Sequence, residues 1–412
     1  MPLTVAAPAA SKPDIASRPA PKKTRSLPAP VPLSAPDVTA HERQAVNAVL
    51  SGRTLSLGPM LPAFEAAMAQ VAGTRFAVAV NSGTSALHLA VKAAGLGAGD
   101  EVITTPFSFI ASANCVLFEN AVPRFVDINP ETYNMDPAAI EAAITPRTRA
   151  ILPVHVFGHP CDMPAINALA RRHGLAVIED ACEAIGARIG GRPAGSFGDS
   201  ASFAFYPNKQ ITTGEGGVLV TNDEQTARLS RSWRNQGRAD GAGWLQHERL
   251  GYNYRLSDIN CALGLGQVGR LSQILAARAR VAEYYRDALA EFPQLVLPAT
   301  PAEGFDKSWF VYVVRLRPEY EREARDGILE SLRQQGIGCS NYFAPIHLQP
   351  FYQERFGYRG GEFPITEHTG DRTIALPFFN KLTRQQVELV AGALRRALRT
   401  QSARQKSYSM AV

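Results

Sequence analysis

Between residues 76 and 221 the chain alternates short apolar runs with stretches of helical periodicity, and this pattern constrains the fold more than any other feature. Runs of four or five residues at Phe76–Val80, Glu101–Thr104, 124–127, 150–153, 176–179, 202–205 and 218–221 read as buried strands. Between them, 85–94, 110–119, Pro137–Ala143 and Met163–His173 place apolar residues on one helical face. Strand–helix alternation of this kind predicts a mainly parallel, doubly wound α/β sheet with helices on both faces. In such sheets ligands collect at the carboxyl ends of the strands, so the residues that follow each strand are the first to inspect.

The 412 residues exceed what one ordinary core accommodates and suit two domains. A long helical stretch from 257 to about 292 follows the alternating region. Beyond it, a strand at 310–316, a helix around 326–335 and a helix over 384–399 predict a smaller α+β domain. The expected division is a flexible Pro/Ala-rich extension over 1–36, a large domain over 37–265, a small domain over 266–399 and a basic tail over 400–412. The extension has too little apolar surface to order itself and is expected to pack, if at all, against a partner subunit.

The formal charge of +6 does not indicate a nucleic-acid partner once it is located. Residues 1–30 carry a net +4 and residues 395–412 a net +5, which leaves the body of the chain at −3. Basic tails on a mildly acidic body form no nucleic-acid groove. No apolar stretch is long enough to span a bilayer, and the proline-broken N-terminus lacks a secretory core, so the cytoplasm is the expected compartment. The cysteines at 115, 161, 182, 261 and 339 are scattered and contain no C-x-x-C pair, so neither a disulfide framework nor a zinc cluster is indicated.

Four segments at strand ends carry chemistry. After the first strand, Asn81-Ser82-Gly83-Thr84-Ser85 leads into a helix, whose first turn offers free N–H groups and a positive dipole end to a phosphate. An ordinary N-cap turn has the same composition. Glu179-Asp180 closes the fifth strand, where a carboxylate serves a site, a metal or a helix cap. The segment 202–217, SFAFYPNKQITTGEGG, holds Lys209 between a Tyr-Pro-Asn turn and a glycine-rich loop, where partial desolvation makes an amine a usable nucleophile; a solvated surface lysine is the alternative. Finally, 251–257, GYNYRLS, offers polar groups ahead of an N-cap serine, as any helix-entry loop can. Taken together, a phosphate cradle, a carboxylate and a lysine nucleophile are what pyridoxal phosphate (PLP) demands.

At this level of detail the sequence resembles the DegT/DnrJ/StrS family of PLP-dependent sugar aminotransferases, which have the fold-type I aspartate-aminotransferase architecture. The resemblance runs from about residue 31 to 399. It is carried by NSGTSALHLA, TTPFSFIASANCVLF, FVDINPETYNMD, VIEDACEAIGA, SFAFYPNKQITTGEGG and GYNYRLSDINCALGLGQ, in that order. It implies a large domain with a mainly parallel seven-stranded sheet and a smaller C-terminal α+β domain. It also implies that Lys209 is the Schiff-base lysine and proton carrier, that Asp180 pairs with the pyridinium nitrogen, and that Phe109 stacks on the ring. Gly83 and Thr84 would contact the phosphate, Glu183 would lie on the substrate side of the cofactor, and Asn253 would reach the phosphate of the neighbouring subunit in an obligatory homodimer.

The implied reaction moves an amino group from glutamate to the keto carbon of a nucleotide-linked deoxysugar, for amino-sugar or polysaccharide biosynthesis. A keto-inositol acceptor and a PLP-binding regulatory protein without turnover are the alternatives. Relatives with histidine in place of the lysine are dehydratases, and the retained Lys209 favours transamination. Many relatives carry a phosphate-binding serine where this chain has Ala204, so the phosphate must find another donor, with Ser202, Tyr206 and water as candidates. His347, in Ala-Pro-Ile-His, is a candidate substrate contact or a packing residue. His155 and His159 have zinc-helix spacing, but Pro153, Gly158 and Pro160 argue for a loop near the site, and no metal is expected.

Overall fold

The computed structural model describes residues 30–239, 241 and 245–409. Seven strands form the central sheet: β1 (Phe76–Val80), β2 (Glu101–Thr104), β3 (Val122–Phe125), β4 (Thr148–Ile151), β5 (Ala176–Asp180), β6 (Ser200–Ala204) and β7 (Gly217–Thr221). Their order is β1-β7-β6-β5-β4-β2-β3. The pairs from β6 to β3 are parallel, whereas β7 runs antiparallel to both β1 and β6. The connection from β6 to β7 contains no helix, so it folds back as a loop, and such a loop can only return an antiparallel strand. The sheet is thus the mainly parallel one expected, with one reversed strand beside the loop that carries Lys209.

The strand cores are nearly all apolar. Val78, Val80, Val102, Ala150, Ile178 and Leu219 join one buried cluster with the helix Gly83–Ala93, while Ala77, Ala79, Phe203 and Val218 join another with the helix Met60–Ala72. A sheet buried on both faces needs such continuous apolar runs. Three strands start two residues earlier than their apolar runs suggest: β3 at Val122 and β4 at Thr148, where pairing with Glu101 extends the ladder, and β6 at Ser200, where pairing with Ile178 and Thr221 does.

The expected helix over 257–292 is two helices, Asp258–Gly269 and Leu271–Leu289, broken at Arg270. Gly269 weakens the helix there, and the Arg270 guanidinium is drawn to Glu42 Oε1 at 2.7 Å and the Asp37 carbonyl at 2.8 Å. Strands β8 (Leu295–Val296), β9 (Tyr312–Leu316) and β10 (Thr373–Leu376) make a second, antiparallel sheet. It packs with the helices Leu271–Leu289, Arg322–Gln334 and Arg384–Ser409 around Val281, Tyr285, Tyr312, Ile328, Leu332, Val390 and Leu394.

The N-terminal extension is shorter than expected. Val31 is buried in this second core and bridges Ile337, with Val31 N–H donating to Gly336 O at 2.9 Å, so residues from Val31 onward are part of the fold. The reason is local: Val31 packs in the core of the second sheet and Leu33 against the cluster of the first. The expectation for residues 1–29 lies outside the described residues. At the other end the last helix continues to Ser409, ten residues past the expected helix end at 399. Among the described residues, no helix is long and apolar enough to cross a membrane.

Candidate active site

A cavity of about 530 Å³ opens at the carboxyl ends of β5 and β6, lined by Gly83, Thr84, Phe109, Asp180, Glu183 and Lys209, among others. Six residues singled out at strand ends or in motifs therefore meet in one place, although they are spread over more than 120 positions of sequence.

Ser82 N-caps the helix Gly83–Ala93, its hydroxyl accepting from Ser85 N at 3.1 Å. The helix consequently starts at Gly83, two residues before the apolar periodicity begins, and Gly83 and Thr84 are its first residues. Their amides have no acceptor within the helix. Gly83 is required by close approach: a Cβ there would lie 2.6 Å from the Cβ of Ala204 and 3.1 Å from Cys182 Sγ.

Asp180 is buried at the end of β5. Its Oδ2 accepts from Ser112 Oγ at 2.6 Å and its Oδ1 from Cys182 N at 3.1 Å. Ser112 in turn lies 2.8 Å from Ser108, so a short hydroxyl chain fixes the carboxylate at the cavity wall. The sequence reading missed Ser112, whose signal in TTPFSFIASANC is a hydroxyl three residues after Phe109, in the first turn of the helix Ala111–Phe118. Phe109 itself is 61% exposed, an unusual position for a phenylalanine, with its surroundings open to the cavity.

Lys209 sits in the loop that joins β6 to β7. Phe205 N–H donates to Gly216 O at 2.9 Å and Thr213 N–H to Phe205 O at 3.0 Å, which pinches the loop at its base. Gly214 adopts φ 82°, the left-handed conformation that closes this turn and that side chains disfavour. The Lys209 amine lies 3.4 Å from Glu183 Oε1 and 4.0 Å from the centre of the Phe310 ring. Glu183 Oε2 accepts from Phe157 N–H at 2.9 Å, and burial raises its carboxyl above the usual range while the Lys209 charge opposes that rise. The residue after Lys209 is equally fixed: Gln210 Nε2 donates to Glu183 O at 2.6 Å and to Ser308 Oγ at 3.0 Å.

Ala204 lines the cavity beside Gly83, so the position where many relatives carry serine lies next to the first turn expected to hold the phosphate. Ser202, two residues deeper on the same face of β6, has a buried hydroxyl without a hydrogen-bond partner, whereas Tyr206 lines the cavity. Tyr206 is therefore the better placed of the two candidate donors. The residues present fit PLP: an amine, a buried carboxylate oxygen pair, a glycine-lined helix start and an aromatic face share one cavity of cofactor size.

Three other candidates fall outside this cavity. Asn253 is exposed, bridges Asn235 and accepts from Asn81 Nδ2 at 3.5 Å through its carbonyl, beside the turn at Ser82, but it does not line the cavity. His347 is fully buried, its Nε2 2.9 Å from Glu367 Oε1 and its ring edge-on to Phe363, so the structure gives it the packing role rather than the substrate contact. His155 and His159 flank the short turn Val156–Gly158 behind β5. Cys161 N–H donates to His155 Nδ1 at 3.0 Å, so the other ring nitrogen carries the proton and donates to Glu179 Oε2, also at 3.0 Å.

The fold and this cavity define a fold-type I PLP-dependent aminotransferase. The chain belongs to the DegT/DnrJ/EryC1/StrS aminotransferase family, whose profile matches residues 36–395. It is 41% identical to the GDP-perosamine synthase of Caulobacter vibrioides over 370 residues, 89% of this chain and 98% of that protein. It is 38% identical to the spore coat polysaccharide biosynthesis protein SpsC of Bacillus subtilis, over 89% of this chain and 96% of that one. Among solved structures, DesV of S. venezuelae in complex with a ketimine intermediate superposes with a TM-score of 0.82 at 37% identity, covering 90% of this chain and 98% of that one.

Proposed function

We propose that this protein transfers an amino group from glutamate to the keto carbon of a nucleotide-linked deoxysugar, using Lys209 as the cofactor-bearing residue and proton carrier. The observation that carries this reading is the convergence of Lys209, Asp180 and the first turn at Gly83 on one cavity. When bound, PLP supplies a carbonyl that takes up amines and a ring that withdraws electrons from the adjoining carbon. Asp180, held by Ser112 and the Cys182 amide, would keep a proton on the pyridine nitrogen. Gly83 and Thr84 would hold the phosphate with first-turn amides, joined by Tyr206 where Ala204 offers no hydroxyl. Phe109 would cover the ring. Lys209 would shuttle the substrate proton, with the Glu183 carboxyl 3.4 Å away fixing the amine's position.

Among the described residues that line the cavity, Lys209 is the one basic side chain. An exposed Asn253 that does not line its own cavity is consistent with a homodimer in which it completes the phosphate site of the second copy. The cytoplasm is the proposed compartment. The GDP-perosamine synthase relative puts a GDP-linked keto-sugar first among acceptors.

The test is a panel of keto-sugars linked to GDP, UDP and dTDP, with a keto-inositol as control, offered to enzyme loaded with pyridoxamine phosphate. Reappearance of the PLP absorbance with one nucleotide-linked keto-sugar is the expected result. Turnover with the keto-inositol alone would replace the acceptor assignment, and no turnover with any acceptor would support a regulatory protein.

A further inference from the structure

The Lys209 amine has a neighbour from about a hundred residues further along the chain. Phe310, buried at 2% exposure just before β9, places its ring centre 4.0 Å from Lys209 Nζ. Residues 308–310 are pinned on both sides. Ser308 N–H donates to Gly158 O at 2.9 Å, Ser308 Oγ donates to Ile185 O at 2.6 Å and accepts from Gln210, the residue next to Lys209. On the other side Arg278, 2% exposed, donates Nε to Trp309 O at 2.7 Å, Nη2 to Phe310 O at 2.5 Å and Nη1 to Asn380 Oδ1 at 3.0 Å.

A buried guanidinium spent on three neutral oxygens is unusual, since buried arginines ordinarily meet carboxylates. Here it fixes two consecutive carbonyls, and so the backbone from which the Phe310 ring projects. With the main chain fixed, only rotation about the side-chain bonds could move the ring, and its burial in the hydrophobic cluster restricts that. Its face carries the negative side of the aromatic quadrupole, which attracts an ammonium and has no such attraction for a neutral amine.

We infer that Phe310 is a positioning residue for Lys209, holding the released lysine as an ammonium over its ring face, with the Arg278-clamped backbone setting the ring's place. This inference rests on the reading of Lys209 as the proton carrier. In that role the lysine must be parked at one spot each time it is released, and the ring together with Glu183 Oε1 supplies that spot. A leucine at 310 would fill comparable space in the same cluster without attracting the charge.

The test reads the amine rather than turnover. In protein loaded with pyridoxamine phosphate every lysine is free, and competitive acetylation followed by peptide mapping gives the reactivity of Lys209 alone. Acetylation requires the neutral amine, so removing the ring's preference for the ammonium raises its rate. Phe310→Leu is expected to raise it about two- to thirty-fold at a fixed neutral pH, the range of a cation–π contact from exposed to desolvated. Phe310→Tyr should restore the wild-type rate. Stepwise fluorination of the phenylalanine at 310 keeps its shape and weakens the quadrupole, so acetylation should accelerate with each fluorine even where the leucine variant folds poorly. Equal rates across the fluorinated series would overturn the inference. Because the label reports only the Lys209 amine, that failure is distinct from finding that the cofactor is attached elsewhere.

Discussion

Strand β5 ends in two adjacent carboxylates that face opposite sides of the sheet, and the two sides use them differently. Glu179 is sealed. It accepts from the amides of Gly195 at 2.8 Å, Phe197 at 2.6 Å and Gly198 at 2.7 Å, and from His155 at 3.0 Å. Every oxygen lone pair that points inward has a donor, and the loop 195–198 is tied to the strand as a result. Asp180 accepts from Ser112 Oγ and the Cys182 amide and lines an open cavity with Lys209 and Glu183. A fully satisfied carboxylate stabilises a fold, whereas one with capacity left beside an amine and a cavity is available for chemistry.

The comparison breaks most sharply at Asp180. Asp180→Asn keeps the shape and the Ser112 contact, so unfolding by urea should be almost unchanged while turnover falls about 10²- to 10⁴-fold. A variant with wild-type turnover would remove Asp180 from the site and make it a second structural carboxylate. The mirror experiment is Glu179→Ala, which leaves the buried amide of Gly195, the half-buried amides of Phe197 and Gly198 and a buried histidine without their acceptor. A loss of about 3–5 kcal/mol in urea unfolding is expected, with turnover per folded molecule retained.

The smallest effect is a pH dependence on the sealed side. Burial, with Lys307 adding to it, pushes His159 from its ordinary 6.5 down to about 4. Between those values the unfolded chain binds a proton there that the folded chain refuses. Stability should therefore be constant above pH 6.5 and fall as the pH drops from about 6.5 to about 4, by at most about 3 kcal/mol. His159→Gln should flatten that stretch of the profile in urea unfolding measured across pH. An unchanged slope would assign the pH dependence to another group.

The two sides of β5 also differ in how much of them could be read from the sequence. Lys209, Asp180, Gly83 and Thr84 each follow a strand or open a helix, and the rule that ligands collect at strand ends brings them together, whereas Phe109 and Glu183 were legible only through the resemblance to the aminotransferase family. Glu179 beside Asp180 could not be sorted from it by composition; only the alternation of β5, once its end is placed at Asp180, sends the two to opposite faces. Phe310 and Arg278 left no local mark at all, because their relation to Lys209 comes from packing between segments roughly 70 to 100 residues apart in sequence. The helix break at Arg270 was hidden for the same reason: the Asp37 and Glu42 partners that draw the side chain away lie more than 220 residues upstream. His347 was open in the sequence between a substrate contact and a packing role, and only the enclosure by Glu367 and the Phe363 ring, contributed by other segments, favours packing.

All of these contrasts depend on Lys209 being the residue that bears the cofactor. Borohydride reduction of the PLP-loaded enzyme, followed by digestion and mass mapping, tests this directly. The account predicts one pyridoxyl group per chain on the peptide containing Lys209, and none after Lys209→Ala. A stable label on any other lysine of the wild-type protein would contradict it.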